Sequence, residues 1–301
     1  MSLFMLAAYG FACAAVYHLC PAKIRWVVLL LASYGFYASR SLAGLPFILV
    51  TTGTTWLAAL AIARIGEGGK ARLKAAEKER KKAIRAAARR RQRAVMLAAL
   101  LLNFGLLAVL KYTDDVRGWF GASPLGLLLP LGISFYTFQA LGYMIDVYRG
   151  KLPPERSLMR YALFVSFFPQ LVAGPIERSE NLLRQVNEDH PLDEKAVRDG
   201  LLVMLLGFFE KLVIADRASL YVDAVYGNWQ QASGLQILLA TVAFAFQIYG
   251  DFGGYSHIAI GAAKVLGYDL MENFRQPYFA VSVRDFWRRW HISLSTWFRD
   301  Y

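Results

Sequence analysis

Cysteine is nearly absent: of 301 residues only Cys13 and Cys20 carry a thiol, both in or beside the first apolar stretch. Two thiols at that spacing are neither a disulfide framework nor a CxxC zinc site, and they read as helix-packing residues. Histidine is scarce too, and His18, His190, His257 and His291 include no pair at HxxxH spacing, so no metal centre is expected. GxGxxG and GxxxxGK loops are missing, which removes phosphate-cradling turns. The absence of GxSxG removes a serine-hydrolase elbow. No basic n-region precedes the first apolar run and no small-residue cleavage site follows it. Met1 to about Leu19 therefore reads as a retained span, not a signal peptide.

Apolar residues, in contrast, are abundant. Hydrophobic residues make up 56% of the chain, aromatics 14%, and the mean hydropathy is +0.35, which identifies an integral membrane protein. Crossing the hydrocarbon takes roughly 20 residues. Windows near residues 2–20, 24–39, 44–65, 94–112, 127–148, 201–226 and 234–250 approach or meet that length. The window 158–175 is interrupted by Pro169, Gly174 and Pro175 and is expected as a re-entrant or kinked element. The expected fold class is all-α: a polytopic membrane helix bundle with broken or re-entrant helices, forming one membrane domain over 1–301.

Charge is distributed unevenly. Residues 66–93 hold twelve lysines and arginines against three glutamates, nine of the chain's twelve net positive charges. The basic pI is thus local, and no nucleic-acid partner is implied. Rich in Ala, Lys, Arg and Glu, the segment is expected as a basic helix lying against anionic headgroups. The positive-inside rule places it in the cytoplasm. Two crossings later the loop Arg149 to Arg160 has four basic residues and one glutamate, as the same side requires. That parity puts the N-terminus outside. A regulatory lipid or partner is the alternative use of the basic run.

Four islands of polar residues, Gly and Pro interrupt the apolar second half. Pro130 to Gly150 carries Ser134, Tyr136, Thr137, Gln139 and Asp146, and polar groups at that depth must find partners inside the protein. Phe167 to Arg178 (FFPQLVAGPIER) reads as a broken helix. Gln247 to Leu270 sets Gln247, Asp251 and His257 around a Gly-Gly step. The last island, ending RDFWRRWHISLSTWFRDY, sets His291 among arginines and aromatic rings. An ionisable residue in such a setting is a functional candidate. Together the islands suggest a funnel or tunnel through the bilayer.

The strings PLGISFYTFQ, FFPQLVAGPIER, DFGGYS and FWRRWHISLSTWFRDY, in this order, resemble the membrane-bound O-acyltransferase family, within it the bacterial branch that O-acetylates alginate. The resemblance implies an enzyme that takes an acyl group at one membrane face and delivers it to a hydroxyl at the other. It also implies that His291 matches one of two family positions, the second being a histidine further along, so that this chain corresponds to the N-terminal portion of a longer enzyme. Relatives commonly carry an acid where His257 stands, and a structural histidine bonded to Asp251 or Tyr255 is expected there.

Acyl transfer needs a base near the acceptor hydroxyl, and an imidazole with a pKa of about 6.5 can take its proton. It also needs donors for the oxyanion. His291 is the expected catalytic residue, as base or supporting donor. On a continuous helix Trp287, Arg288, Leu294 and Ser295 would share its face, with Ser293 pointing elsewhere. Arg284, Arg288, Arg289 and Arg299 would pair with Asp285 and Asp300 or grip an anionic substrate. Expected substrate contacts are Arg288, Arg289, Trp287, Ser295, Asp251 and Gln247. No bound cofactor is expected. The acyl donor would be acetyl-CoA or another acyl thioester, and the acceptor an exported polysaccharide such as alginate, or a periplasmic acyl-transfer partner protein. The setting would be the bacterial inner membrane. Alternatives are another cell-wall polymer or lipid as acceptor, or a non-catalytic transport or scaffold component.

Overall fold

The computed structural model describes residues 3–75 and 77–301. Met1 and Ser2 of the expected first span, and Ala76 of the basic segment, lie outside the described residues. The helices are α1 (Leu3–Leu19), α2 (Ala22–Arg40), α3 (Leu45–Ala75), α4 (Lys78–Trp119), α5 (Ile133–Arg149), α6 (Leu158–Ser166), α7 (Phe168–Leu171), α8 (Leu182–Val186), α9 (Glu194–Phe209), α10 (Asp216–Gly227), α11 (Gly234–Val265), α12 (Val283–Arg289) and α13 (Ile292–Asp300). No strand occurs among the described residues, so the all-α expectation holds. Leu42–Leu73, Arg80–Trp119 and Gly234–Val265 are each long and apolar enough to cross a membrane.

Several boundaries differ from those expected. The windows 44–65 and 94–112 are parts of longer helices of 31 and 42 residues. The basic segment is therefore the paired ends of α3 and α4 and not a separate surface helix. The window 127–148 is irregular up to Gly132, and α5 begins at Ile133. A π-helical turn, Glu210–Ala215, joins α9 to α10 inside the window 201–226.

The chain forms two compact units. One comprises Trp26–Leu171, Arg178–Glu188 and Tyr301, with α3 packed on α4, α5 and α6. Several of its buried polar groups pair with one another, as apolar surroundings favour. Gln170 Nε2 donates to Gln139 Oε1 at 2.7 Å, and Gln139 Nε2 donates to the Phe164 carbonyl at 2.6 Å. Thr55 and Tyr161 hydroxyls meet at 2.8 Å. The break expected in 158–175 falls at Phe167 (φ −50°, ψ 105°), between α6 and α7. The Phe168 N–H, left without a helical acceptor, donates to Ser33 Oγ at 3.1 Å. Gly132 enters α5 with φ 67°, where a Cβ would strike the Leu171 carbonyl.

The other unit comprises the chain up to Arg25, Val172–Glu177 and Asp189–Asp300. Here α11 packs along α9, the π turn and α10. The spacing of glycines explains how closely: Gly200 and Gly207 on α9 are seven apart, as are Gly254 and Gly261 on α11. A Cβ on Gly207 would come within 2.6 Å of the Gly254 carbonyl oxygen, and one on Gly200 within 2.7 Å of that of Gly261. Small residues let membrane helix backbones touch, which replaces the missing hydrophobic drive with dispersion contact. The end of α1 is tied to the end of α11 by His18, whose Nε2 lies 2.9 Å from the Val265 carbonyl. The His190 ring packs tilted against that of Tyr268, with centroids 4.3 Å apart, and the His190 carbonyl accepts from Arg25.

Candidate functional site

His291 does not lie inside a helix. It is the junction between α12 and α13, with φ 40° in the left-handed region. A non-glycine residue there is strained and must be held by its surroundings. Two backbone bonds do so: Ile292 N–H donates to the Asn273 carbonyl and Arg275 N–H to the Arg289 carbonyl, both at 2.9 Å. The shared helical face expected for Trp287, Arg288, Leu294 and Ser295 therefore does not exist, because the turn at His291 reorients the chain.

Asn273 organises the surroundings of the junction. Ser293 Oγ donates to Asn273 Oδ1 at 2.7 Å, and Asn273 Nδ2 donates to Ser256 Oγ at 3.1 Å. Ser256 Oγ in turn donates to the Ala173 carbonyl at 3.3 Å. Asn273, Ser256 and Ser293 are all buried. Two residues before Asn273, the Met271 N–H donates to the buried carboxylate of Glu177. Ser293, set aside by the helical expectation, thus belongs to the support of His291.

Aromatic rings enclose the imidazole. Phe252 meets it edge-on at 4.7 Å and Phe274 lies nearly parallel at 6.5 Å. Trp290, the preceding residue, packs on Phe274 and stacks on Phe286. Burial in this apolar setting holds the His291 pKa down, to about 4. The ring is neutral at physiological pH. Asn273 and Phe274 also wall a cavity of about 340 Å³, whose rim includes Ser256, His257, Lys264 and Asp269.

The other expected contacts scatter. Ser295 N–H donates to the His291 carbonyl, and Ser295 Oγ to that of Trp290. Arg289 Nε pairs with Asp285 Oδ2 at 3.0 Å, four residues back on α12. That contact holds the Asp285 carboxyl below its ordinary pKa. Arg299 pairs with Asp300, whereas Arg284, Arg288 and Trp287 are exposed. Asp251 points to Lys211, which bridges it and Asp216 at 2.6 Å each. Gln247 sits on α11 four residues before Asp251, and its Oε1 accepts no hydrogen bond among the described residues. Phe252, next to Asp251, meets the His291 ring, whereas Asp251 itself turns to Lys211.

His257 was expected to bond Asp251 or Tyr255. Its Nδ1 instead lies 2.7 Å from Glu210 Oε2, a carboxylate that the π turn directs toward α11. Glu210, Lys211, Asn273 and Glu177 went unnoticed in the sequence. For Glu210 and Lys211 a signal existed: two ionisable residues inside the apolar run MLLGFFEKLVIA. Asn273 gave none, because a lone amide in a loop is ordinary.

The unit that contains α3 to α6 has its own buried charge. Asp146 accepts from the Tyr301 hydroxyl at 2.6 Å and Ser179 at 3.4 Å, and pairs with Lys151 at 3.3 Å. Arg178 lies 4.8 Å over the Tyr301 ring. Burial and the adjacent carboxylate push the Tyr301 phenol up.

Among the described residues no group of His, Cys, Asp and Glu is placed to hold a metal ion. Residues 152–301 match the membrane-bound O-acyltransferase family. The chain is 39% identical over 298 residues to the "Probable alginate O-acetylase AlgI" of Azotobacter vinelandii, covering 95% of this chain and 55% of that protein. A protein of the same name from Pseudomonas aeruginosa is 37% identical over 297 residues, with 95% and 53% covered. The "Peptidoglycan O-acetyltransferase" of Helicobacter pylori is 31% identical over 308 residues, with 92% and 54% covered. The chain spans about half the length of these curated relatives.

Proposed function

Because this chain belongs to the membrane-bound O-acyltransferase family, we propose that the whole protein transfers acetyl groups to hydroxyls of an exported polysaccharide, alginate being the polymer named for its relatives. The observation that supports this reading from within the chain is His291, a neutral imidazole on a strained turn, fixed by the Asn273 network and walled by Phe252 and Phe274. Strain of this kind persists where the surroundings enforce it, and it clusters at functional sites.

The lowered pKa favours one of the two roles open to His291. A base works best with a pKa near the working pH, and a group at about 4 is a weak one. Neutral imidazole N–H is a good donor, so His291 orients the acceptor hydroxyl or steadies the oxyanion formed as that oxygen attacks the acyl carbonyl. The hydroxyl proton goes to a separate base as the carbonyl is attacked, and the thiolate of the donor leaves when the tetrahedral intermediate collapses. The family's second histidine, which is not among these residues, suits the base. The donor is acetyl-CoA or another acyl thioester, and the polysaccharide or a periplasmic carrier protein receives the group.

In this reading the protein resides in the bacterial inner membrane, with the basic ends of α3 and α4 in the cytoplasm and the N-terminus outside. A second acceptor class, peptidoglycan, is favoured by the match to the Helicobacter pylori protein. Ester-bound acetate on exported polysaccharide and on purified cell wall, measured with and without the full-length gene, tests the choice. Loss from the polysaccharide alone supports the first reading, loss from the wall alone the second, and no loss from either contradicts both.

A further inference from the structure

The basic ends of α3 and α4 form a cleft of about 340 Å³ that the acyl-transfer reading does not use. We propose that this cleft binds the phosphate-bearing headgroup of an anionic membrane phospholipid. Arg64, Ile65, Gly68, Gly69 and Arg72 follow one face of α3, and Ile84, Ala87, Ala88 and Arg91 one face of α4. Arginine guanidinium groups thus stand on both walls over a floor of isoleucine and small residues.

The pairing that makes the cleft is specific. A Cβ on Gly69 would press to 3.0 Å from the Ala88 Cβ, so glycine allows the two helices to close there. Gln92 Nε2 donates to the Ile62 carbonyl at 2.9 Å and fixes the register of one helix on the other. That register brings Arg64 and Arg91 to the same end, beside the points where both helices turn apolar. Arg72 stands two turns farther out, at a rise of about 12 Å along the axis. Lipid phosphates occupy the level at which apolar helix gives way to charged helix, so the pair Arg64 and Arg91 faces the phosphate and Arg72 the outer part of the headgroup.

Charge favours the same occupant. All three arginines are exposed, and among the described residues no ion pair or hydrogen bond engages them. A guanidinium forms two parallel bonds to phosphate, and basic pockets between membrane helices on the cytoplasmic side recognise anionic headgroups. A soluble phosphate compound would satisfy the same guanidinium groups, but it would leave the position at the membrane boundary without a reason.

The test uses the full-length protein in detergent, loaded separately with cardiolipin and phosphatidylcholine, with retained lipid counted by native mass spectrometry. The triple variant Arg64→Ala, Arg72→Ala, Arg91→Ala removes three charges from the cleft. The matched variant Lys70→Ala, Arg85→Ala, Arg90→Ala removes three from outside it. The proposal expects cardiolipin retention to fall about tenfold in the first variant and less than about twofold in the second. Phosphatidylcholine should be retained weakly by all three proteins, and millimolar pyrophosphate should leave cardiolipin in place. Equal losses in both variants would mean a diffuse basic surface and would overturn the site. Displacement by pyrophosphate would assign the cleft to a soluble phosphate compound, and equal retention of phosphatidylcholine would remove the charge requirement; either also overturns it. Alanine is the strongest helix former, so the hairpin persists in both variants.

Discussion

Ser293 donates to Asn273 at 2.7 Å, and this bond lies beneath the turn that carries His291. Replacing Asn273 by Ala leaves the buried Ser256 and Ser293 hydroxyls short of a partner, at a cost of about 1–3 kcal/mol. The backbone bond from Ile292 to the Asn273 carbonyl survives the substitution, but the loop that presents this carbonyl loses its side-chain anchors, and misplacement by an ångström costs a catalytic group up to about a hundredfold. Thermal unfolding and acetyl transfer by the full-length Asn273→Ala protein should therefore both fall, activity the more steeply.

The glycine contacts between α9 and α11 predict a sharp contrast. Gly207→Val forces a side chain into the Gly254 carbonyl, and overpacking of this kind costs about 1–3 kcal/mol. Gly53 on α3 has open space around its Cβ position, so Gly53→Ala should be neutral or slightly stabilising. Melting temperatures of the two purified variants check both statements.

His257 and Glu210 should act as a pair. Removing the carboxylate with Glu210→Ala strands the imidazole, and His257→Ala strands the carboxylate, each at a cost of about 1–3 kcal/mol. The double variant should lose less than the sum, which a double-mutant cycle on denaturation midpoints measures. Strict additivity would mean that the 2.7 Å contact carries no energy.

The pH dependence of His291 has a definite sign. Its folded pKa of about 4 lies below the ordinary 6.5, so the unfolded chain binds the proton first as pH falls. Stability from this residue is fully present above about pH 6.5 and is lost on acidification to about pH 4. Histidine-selective NMR labelling should show His291 titrating below pH 5, and a midpoint near 6.5 would contradict its burial.

Much of this was legible in composition and pattern. Apolar windows located the long helices, Pro169 marked the break at Phe167, and the odd setting of His291 drew attention to what is a strained turn. What stayed hidden was partner choice. His257 had Asp251 six residues away on its own helix, but the π turn supplied Glu210 from another. The left-handed turn at His291 was equally hidden, because it is imposed by backbone bonds from Asn273 and Arg275, residues whose approach only the tertiary fold decides. Local propensity continued the helix through WHISLS, and tertiary contact overrode it.

The most direct measurement is the acetyl content of exported polysaccharide made by the full-length His291→Ala protein, normalised to the amount of folded protein in the membrane. The account predicts a loss of about tenfold or more at normal abundance, as expected for a transition-state hydrogen-bond donor. Unchanged acetylation at normal abundance would contradict it.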